Sequence, residues 1–426
     1  MDTATRKALA APEFYFDNRT GSYWLKNGDS YLSLDGGSIK NHLALSGMQT
    51  RAEDKDTGLK DGDKALTLCQ LHRSVDYAGP LAGHRAGIFK TQAGRRVLVT
   101  ADRDPVPAAA GPMAELDAFL TQLFGPEQFQ PVIFWLKIAR NSLQTGDFRP
   151  GQMLCLAGPS GCGKSLFQSL VTEFLGGRSA KPYRYMTGAT QFNADLASAE
   201  HLIIADEQAS LDIRSRRNFG ASIKDLLVNT ELSIHAKGRD AQLPVPTFRR
   251  LTLSVNDEPE NLAILPPMDE SILDKITLLK CSTAEVDPDR KRTWKLFTGQ
   301  LPALAAELDR MKIPPRWRDS RYGVKAYHNE ELLEIVADIS PETRLLNLVD
   351  EVIFAKAVCE WTGSAIELEK ALRSSEFAFA VDKLLSFSSA CGTYLARLRR
   401  KYPARFDSKA TNGKTVWTIR ESPRAE

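Results

Sequence analysis

The stretch LCLAGPSGCGKSLFQSL, Leu154–Leu170, decides how the rest of the chain is read. It fits the spacing G-x-x-x-x-G-K-[ST], with Gly158, Gly163, Lys164 and Ser165 in the fixed places. The apolar run from Met153 to Ala157 reads as a buried strand. The amphipathic run from Lys164 to Leu175 reads as a helix, stopped by Gly176-Gly177. In the order strand, glycine loop, helix, this spacing can hold phosphate. Glycines let backbone N–H groups turn toward the anion, and the helix N-terminus adds positive potential. Gly158, Pro159, Ser160, Gly161, Cys162, Gly163, Lys164, Ser165 and Leu166 are the candidate cradle for ATP. Lys164 can reach the β- and γ-phosphates, and the Ser165 hydroxyl can sit on Mg²⁺.

Composition narrows the classes. The 426 residues predict two to four domains. A hydrophobic content of 42% with 26% charged residues is that of a soluble globular chain. The net charge of +3 gives no global field toward nucleic acid, so any basic surface must be local. The six cysteines form no CxxC spacing, which argues against a disulfide framework or a zinc site and fits a reducing compartment. The first residues lack the long apolar core of a signal peptide, and no run of about 18 apolar residues suits a membrane span. The expectation is a cytoplasmic protein without a membrane partner.

Punctuation divides the chain. Residues 1–112 read as a β-rich domain, with hairpin signals at Thr20-Gly21, Asn27-Gly28 and Ala93-Gly94. Asp102 and Asp104 form one D-x-D without a placed histidine, in a Pro- and Ala-rich stretch that reads as a boundary. Residues 113–150 are helical by period, 151–318 hold the nucleotide core, 319–345 read as a linker around the break at Pro314–Gly323, and 346–426 form a last module.

Two more strands complete a constellation. HLIIADEQ, His201–Gln208, is an apolar strand ending in two acids. Asp206 is placed for the Mg²⁺ shell and Glu207 to polarise the attacking water. RLTLSVNDEP ends its apolar run at Asn256, whose amide can contact the γ-phosphate and that water together. Lys164 precedes Asp206 by 42 residues, and Asp206 precedes Asn256 by 50. Between them, ELSIHAKGRDAQLPVPTF has two β-like runs around Lys237-Gly238-Arg239.

This order resembles the superfamily 3 helicases of the AAA+ class, in particular the branch of phage, plasmid and poxvirus primase-helicases. RPGQMLCLAGPSGCGKS, AEHLIIADE and FRRLTLSVNDEPENL carry the resemblance, across about residues 115–285. It implies an α/β P-loop core and a homo-oligomeric ring, usually hexameric, with ATP between neighbours and single-stranded DNA pulled through the centre. It also implies a basic hairpin in the pore, a place held here by Lys237 and Arg239 with His235 nearby. A cationic tip suits backbone tracking without sequence readout. The chain departs from the family at the arginine that usually follows the sensor Asn and reaches the neighbour's γ-phosphate. DEPENLAILPPMDESILDKITLLK contains no arginine. Either Lys275 substitutes, or Arg249, Arg250 or the group Arg214, Arg216 and Arg217 supplies the charge.

The last module reads as a winged helix: a helix SAIELEKAL, a helix SFSSACGTYLARLRRKYP, then strand, Asn412-Gly413 turn and strand. Between Ser386 and Arg420 eight basic residues stand against one acid, Asp407. Arg397, Arg399, Arg400, Lys401 and Lys414 are candidate contacts to duplex or forked DNA. The reading is an ATP-dependent, ring-forming DNA helicase of a phage or mobile element, acting in replication, with a separate primase as a further partner. The alternative is a non-translocating AAA+ protein that uses the same pocket as a nucleotide-set switch in DNA binding or defence. A small-molecule P-loop kinase would need an acceptor pocket and lid, and would not need the hairpin or the wing.

Overall fold

The computed structural model describes residues 13–53, 58–205, 213–235, 244–266, 268, 270–354, 359–411 and 414–421. Met1–Asp257 with Glu270–His328 form one compact unit, and Glu258–Asp269 with Asn329–Glu426 form a second. The division at His328/Asn329 falls within the range 319–345 that reads as a linker. Tyr322 and Val324 are buried in the first unit, and the Leu278 amide donates to the Tyr327 carbonyl at 2.8 Å.

The first unit opens with a small mixed module. Its strands are β1 (Phe14–Asp17), β2 (Tyr23–Asn27) and β3 (Ser30–Leu34), followed by helices α1 (Gly36–Leu45) and α2 (Asp61–His72). Strands β4 (Ser74–Val75), β5 (Tyr77–Gly79), β6 (Gly87–Lys90) and β7 (Arg96–Val99) complete it. The β2–β3 turn closes with Asn27 opposite Ser30, and the β6–β7 turn with Lys90 opposite Arg96. The β-rich expectation missed the two helices. Their apolar faces are narrow: Ile39 and Leu43 on α1, Ala65 and Cys69 on α2. The missed signal was a cap, because the Asp35 carboxylate accepts from the Ser38 amide at 2.7 Å and starts α1.

Helix α3 (Ala114–Thr145) leads into the core and bends at Gly125, where φ is +67° and Pro126 follows. Strand β8 (Met153–Ala157) and helix α4 (Lys164–Phe174) come next, then β9 (Ser179–Ala180), β10 (His201–Ala205), α5 (Ile213–Val228), β11 (Glu231–Ser233), β12 (Pro244–Pro246), β13 (Arg250–Val255), β14 (Ile276–Lys280) and α6 (Arg290–Arg310). Five strands form a parallel sheet in the order β14-β8-β13-β10-β9. Helices α3, α4 and α6 share one apolar core with β8, in which Phe119 meets Phe297 at 5.1 Å and Phe124 meets Phe167 at 4.9 Å. Strand β14 is an edge, and α3 helps close it. The Gln128 side chain donates to the Lys280 carbonyl at 2.7 Å and accepts from the Lys280 amide at 2.8 Å, as a neighbouring strand would.

The second unit contains α7 (Glu330–Asp338), α8 (Pro341–Val352), β15 (Glu360–Ser364), α9 (Ala365–Arg373), α10 (Ala378–Leu384), α11 (Ala390–Lys401), β16 (Phe406–Thr411) and β17 (Lys414–Arg420). Its antiparallel sheet has the order β15-β17-β16. Leu368, Leu372, Leu395, Leu398 and Trp417 are buried in its core, whereas Ile366 of α9 is exposed. No helix among the described residues is long and apolar enough to cross a membrane.

Candidate nucleotide site

Parallel pairing brings the C-terminal ends of three strands to one edge of the sheet. Ala157 of β8 lies opposite Val255 of β13, and Ser254 of β13 lies opposite Ala205 of β10. Gly158 after β8 and Asn256 after β13 are therefore neighbours, and the end of β10 at Ala205 lies beside β13. Asp206 and Glu207 lie outside the described residues. The crevice beyond strand C-termini is where open α/β sheets bind ligands.

The loop 158–163 needs its glycines for definite reasons. A Cβ at Gly158 would stand 2.3 Å from the Cys281 carbonyl oxygen, so only glycine lets β8 end against that segment. Gly163 has φ of +116° and caps α4, and a Cβ there would meet Phe119 at 3.0 Å. No side chain caps α4, and the Phe167 amide to the Gly163 carbonyl, 3.0 Å, is its first helical bond. The preceding amides of that turn are the donors an anion can take.

Pro159, Ser160, Gly161 and Ser165 are exposed, Leu166 is half-buried and Cys162 is buried. Lys164 is buried as well, and its ammonium turns back on the loop. It donates to the Gly158 carbonyl, to the Pro159 carbonyl at 2.8 Å and to Asn256 Oδ1 at 3.4 Å. The loop thus holds a cation against its own carbonyls beside an open rim of amides, which fits a phosphate chain. Mg²⁺ fits the same rim through the exposed Ser165 hydroxyl, where it would neutralise phosphate charge. No cluster of three His, Cys, Asp or Glu side chains that could hold a metal by itself exists among the described residues.

Beneath the site runs a buried polar chain. The Thr172 hydroxyl donates to the Gln168 carbonyl at 3.1 Å and so accepts from His201 Nδ1 at 2.7 Å. His201 Nε2 then accepts from the Thr252 hydroxyl at 2.9 Å, and Thr252 Oγ1 accepts from Gln168 Nε2 at 2.9 Å. This chain locks α4 to β10 and β13, the strands leading to Asp206 and Asn256. Burial pushes His201 down to about 3, so it is neutral. Sequence patterning missed the chain, because its members come from three separated elements.

The candidates for a charge acting on a neighbouring subunit are placed as follows. Lys275 is buried, with its ammonium 2.6 Å from Asp274 Oδ1. Arg249 is buried and donates to the Asn229 carbonyl. Arg250 is buried, donates to the Arg249 carbonyl at 2.8 Å, and lies 4.7 Å over the Phe248 ring. Burial pushes Arg249 down to about 10 and Arg250 to about 9. Each of the three makes these contacts within its own chain. Arg214, Arg216 and Arg217 begin α5; their side chains lie outside the described residues.

Of the hairpin, β11 and β12 pair antiparallel with Leu232 opposite Val245, and Lys237 and Arg239 lie outside the described residues. His235 follows β11. Its amide donates to Asn193 Oδ1 at 2.7 Å and its ring meets Phe192 at 5.2 Å. In the second unit a groove of about 1260 Å³ runs over α9, α11 and the β16–β17 sheet, lined by Arg397, Arg399, Arg400 and Lys414 among others. Arg397 is paired with Glu342, and Arg399 lies 3.4 Å from Asp407 and 2.9 Å from the Ser408 hydroxyl. Arg400 and Lys414 are exposed, and Lys401 lies 5.3 Å over the Tyr402 ring.

Residues 156–270 match the model of a family of unknown function, DUF5906. No curated protein matches the chain. Among solved structures, the A form apo structure of the NrS-1 C-terminal region aligns over 99% of this chain and 99% of its own, with TM-score 0.58 and 14% identity. A second apo structure of that region gives the same values. At this identity the likeness is one of fold, and it spans both units. A JCV helicase structure aligns over 45% of this chain and 51% of its own, with 11% identity and TM-score 0.27, too low for a shared fold to be drawn from it.

Proposed function

We propose that this chain is a DNA-dependent ATPase that assembles as a ring, hexameric by analogy with superfamily 3, and translocates on single-stranded DNA to unwind forks in the replication of a phage or mobile element. The observation that carries this reading is the contact of Lys164 with Asn256 across the sheet edge, on a strand lying between the loop strand and the strand that runs toward Asp206 and Glu207.

In this reading Lys164 holds the β- and γ-phosphates, and Ser165 and Asp206 hold Mg²⁺. Glu207 takes the proton of the attacking water, and Asn256 reports the γ-phosphate to β13. Strand β12 of the hairpin ends at Pro246, four residues before β13 begins at Arg250, so a shift of β13 can be felt at His235, Lys237 and Arg239 in the pore. With Lys275, Arg249 and Arg250 occupied inside their own subunit, the charge contributed in trans falls to Arg214, Arg216 or Arg217. The second unit, with its helix–strand–helices–hairpin order, is read as a winged helix that puts Arg399, Arg400, Lys401 and Lys414, with Arg397 behind them, on duplex or forked DNA.

The occupied state of those three cations also supports a second reading, in which the pocket sets assembly and DNA binding without translocation. Strand displacement on a forked substrate, measured beside ATP hydrolysis, tests the two: hydrolysis stimulated by single strands with ATP-dependent displacement supports the helicase, and hydrolysis without displacement supports the switch.

A further inference from the structure

In the first unit, away from the nucleotide loop, a cleft of about 530 Å³ opens between the β5–β7 module, the end of α3 and the end of β12. Its size suits a small flat ligand; clefts of roughly 300–1,000 Å³ hold such molecules. Three cations line it, Arg85, Lys90 and Arg103, and no carboxylate does. Arg85 and Lys90 are exposed. Arg103 is half-buried: its Nη1 has no hydrogen-bond partner among the described residues, and its Nη2 is 3.5 Å from the Gln144 carbonyl. A guanidinium so poorly satisfied, with a second one nearby, is stabilised by an arriving anion. Burial and the Arg85 charge both push Arg103 down.

Beside the cations stands an aromatic wall. The Phe89 and His84 rings stack at 4.7 Å and 7°, and Phe148 meets the His84 edge at 5.1 Å. The His84 ring is pinned, with Nε2 donating to the Pro246 carbonyl at 2.6 Å. Burial pushes His84 down, so the ring is neutral and its tautomer is set by that bond. A flat aromatic platform next to three cations is the pattern that recognises a base together with its phosphate.

The cleft is also tied to the hairpin stem. Pro246 is the last residue of β12, and the Phe248 amide donates to the Ala82 carbonyl at 3.1 Å. The Gly83 amide donates to Glu200 at 2.8 Å, and Glu200 is buried in an ion pair with Arg178. Gly83 is held where a Cβ would stand 2.5 Å from the Phe248 Cβ.

We propose that the Arg85–Phe89–Arg103 cleft binds one nucleotide unit of a single-stranded nucleic acid, with the base against the Phe89–His84 platform and the phosphate on Arg85, Lys90 and Arg103. This rests on the reading that the chain works on single strands. It adds a contact site in the module before α3 that holds the strand next to the hairpin stem, independent of bound ATP.

The test is photo-cross-linking of oligo(dT) carrying 5-iodouracil to the full chain at low salt without ATP, followed by peptide mapping. A cross-link between residues 84 and 103 is expected. Arg85→Glu with Lys90→Glu changes two exposed side chains, so folding is retained, and should lower the salt slope of oligo(dT) binding by about 0.7, the share of one phosphate contact. Phe89→Ala should weaken binding at least roughly fivefold, and Phe89→Tyr should restore it. Absence of cross-links in 84–103 together with an unchanged slope overturns the proposal. Thymidine monophosphate that removes the cross-link at concentrations where it does not displace oligo(dT) from the rest of the chain makes the occupant a free nucleotide and overturns the strand. The Lys164→Ala chain should keep the cross-link. A wild-type chain that cross-links here but hydrolyses no ATP leaves the cleft standing and sinks the ATPase reading alone.

Discussion

Lys164 Nζ lies 3.4 Å from Asn256 Oδ1, although 92 residues separate them in the chain. The contact joins the phosphate loop to the strand beside it, and it gives the two residues different expected defects. Lys164→Ala removes the loop's cation and should weaken ATP binding by tenfold or more in a nucleotide-binding titration. Asn256→Ala leaves the cradle whole, so binding should stay within a few-fold while kcat falls by roughly a hundredfold, the scale of losing one positioned polar group. Equal loss of binding in both variants would place Asn256 in the cradle and remove its sensing role.

Glu207→Gln keeps the size of the side chain and removes the proposed base. ATP should still bind, and turnover should fall by about 10²- to 10⁴-fold in a phosphate-release assay. Turnover at the wild-type rate would move the base elsewhere.

Subunit mixing addresses the charge contributed in trans. A chain with Arg214→Ala, Arg216→Ala and Arg217→Ala, mixed with Lys164→Ala chains, should recover part of the ATPase that neither has alone, because some interfaces then pair an intact loop with an intact arginine. Lys275→Ala leaves Asp274 without its 2.6 Å partner, and its effect should appear in the melting temperature rather than in mixing experiments. Recovery with Lys275→Ala in place of the triple variant would restore Lys275 to the interface.

His201 predicts a pH dependence. Its folded value is depressed to about 3, whereas the unfolded side chain takes a proton near 6.5. Below about 6.5 the unfolded chain binds the extra proton and the folded one does not, so stability falls as pH drops from about 6.5 toward 3. Between pH 6.5 and 5 the loss from this group should be about 2 kcal/mol. Denaturant titrations of wild type and His201→Gln at both values should show the wild type losing more; parallel losses would mean that His201 is not held neutral.

Much of the core was legible because its signals are local. The apolar run 153–157 and the glycines at 158 and 163 specify a strand, a tight turn and a helix start, and the structure uses each for the backbone reason glycine exists. The end of β13 at Val255 likewise announces Asn256. What was hidden depends on contacts between distant elements. Arg249, Arg250 and Lys275 read as candidates for a charge acting in trans, yet each is buried beside a carbonyl, a ring or a carboxylate that patterning does not reveal. Helix α2 fully buries only the small residues Gly62, Ala65 and Cys69, while Leu71 is exposed and Leu66 only partly covers the core, so its leucines do not mark the buried face. The boundary at His328 was hidden because the segment before it adds to the β14 edge: Leu278 bridges His328 in parallel register, a pairing no Pro- or Gly-rich punctuation signals.

In the proposed function, ATP hydrolysis is coupled to strand movement through the hairpin between β11 and β12. Forked-DNA unwinding by the Lys237→Ala, Arg239→Ala double variant tests it most directly. Wild-type ATP binding, duplex binding retained through residues after 328, and loss of strand displacement are expected from this coupling. Unwinding at the wild-type rate by this variant would contradict it and leave the nucleotide-set switch as the better reading.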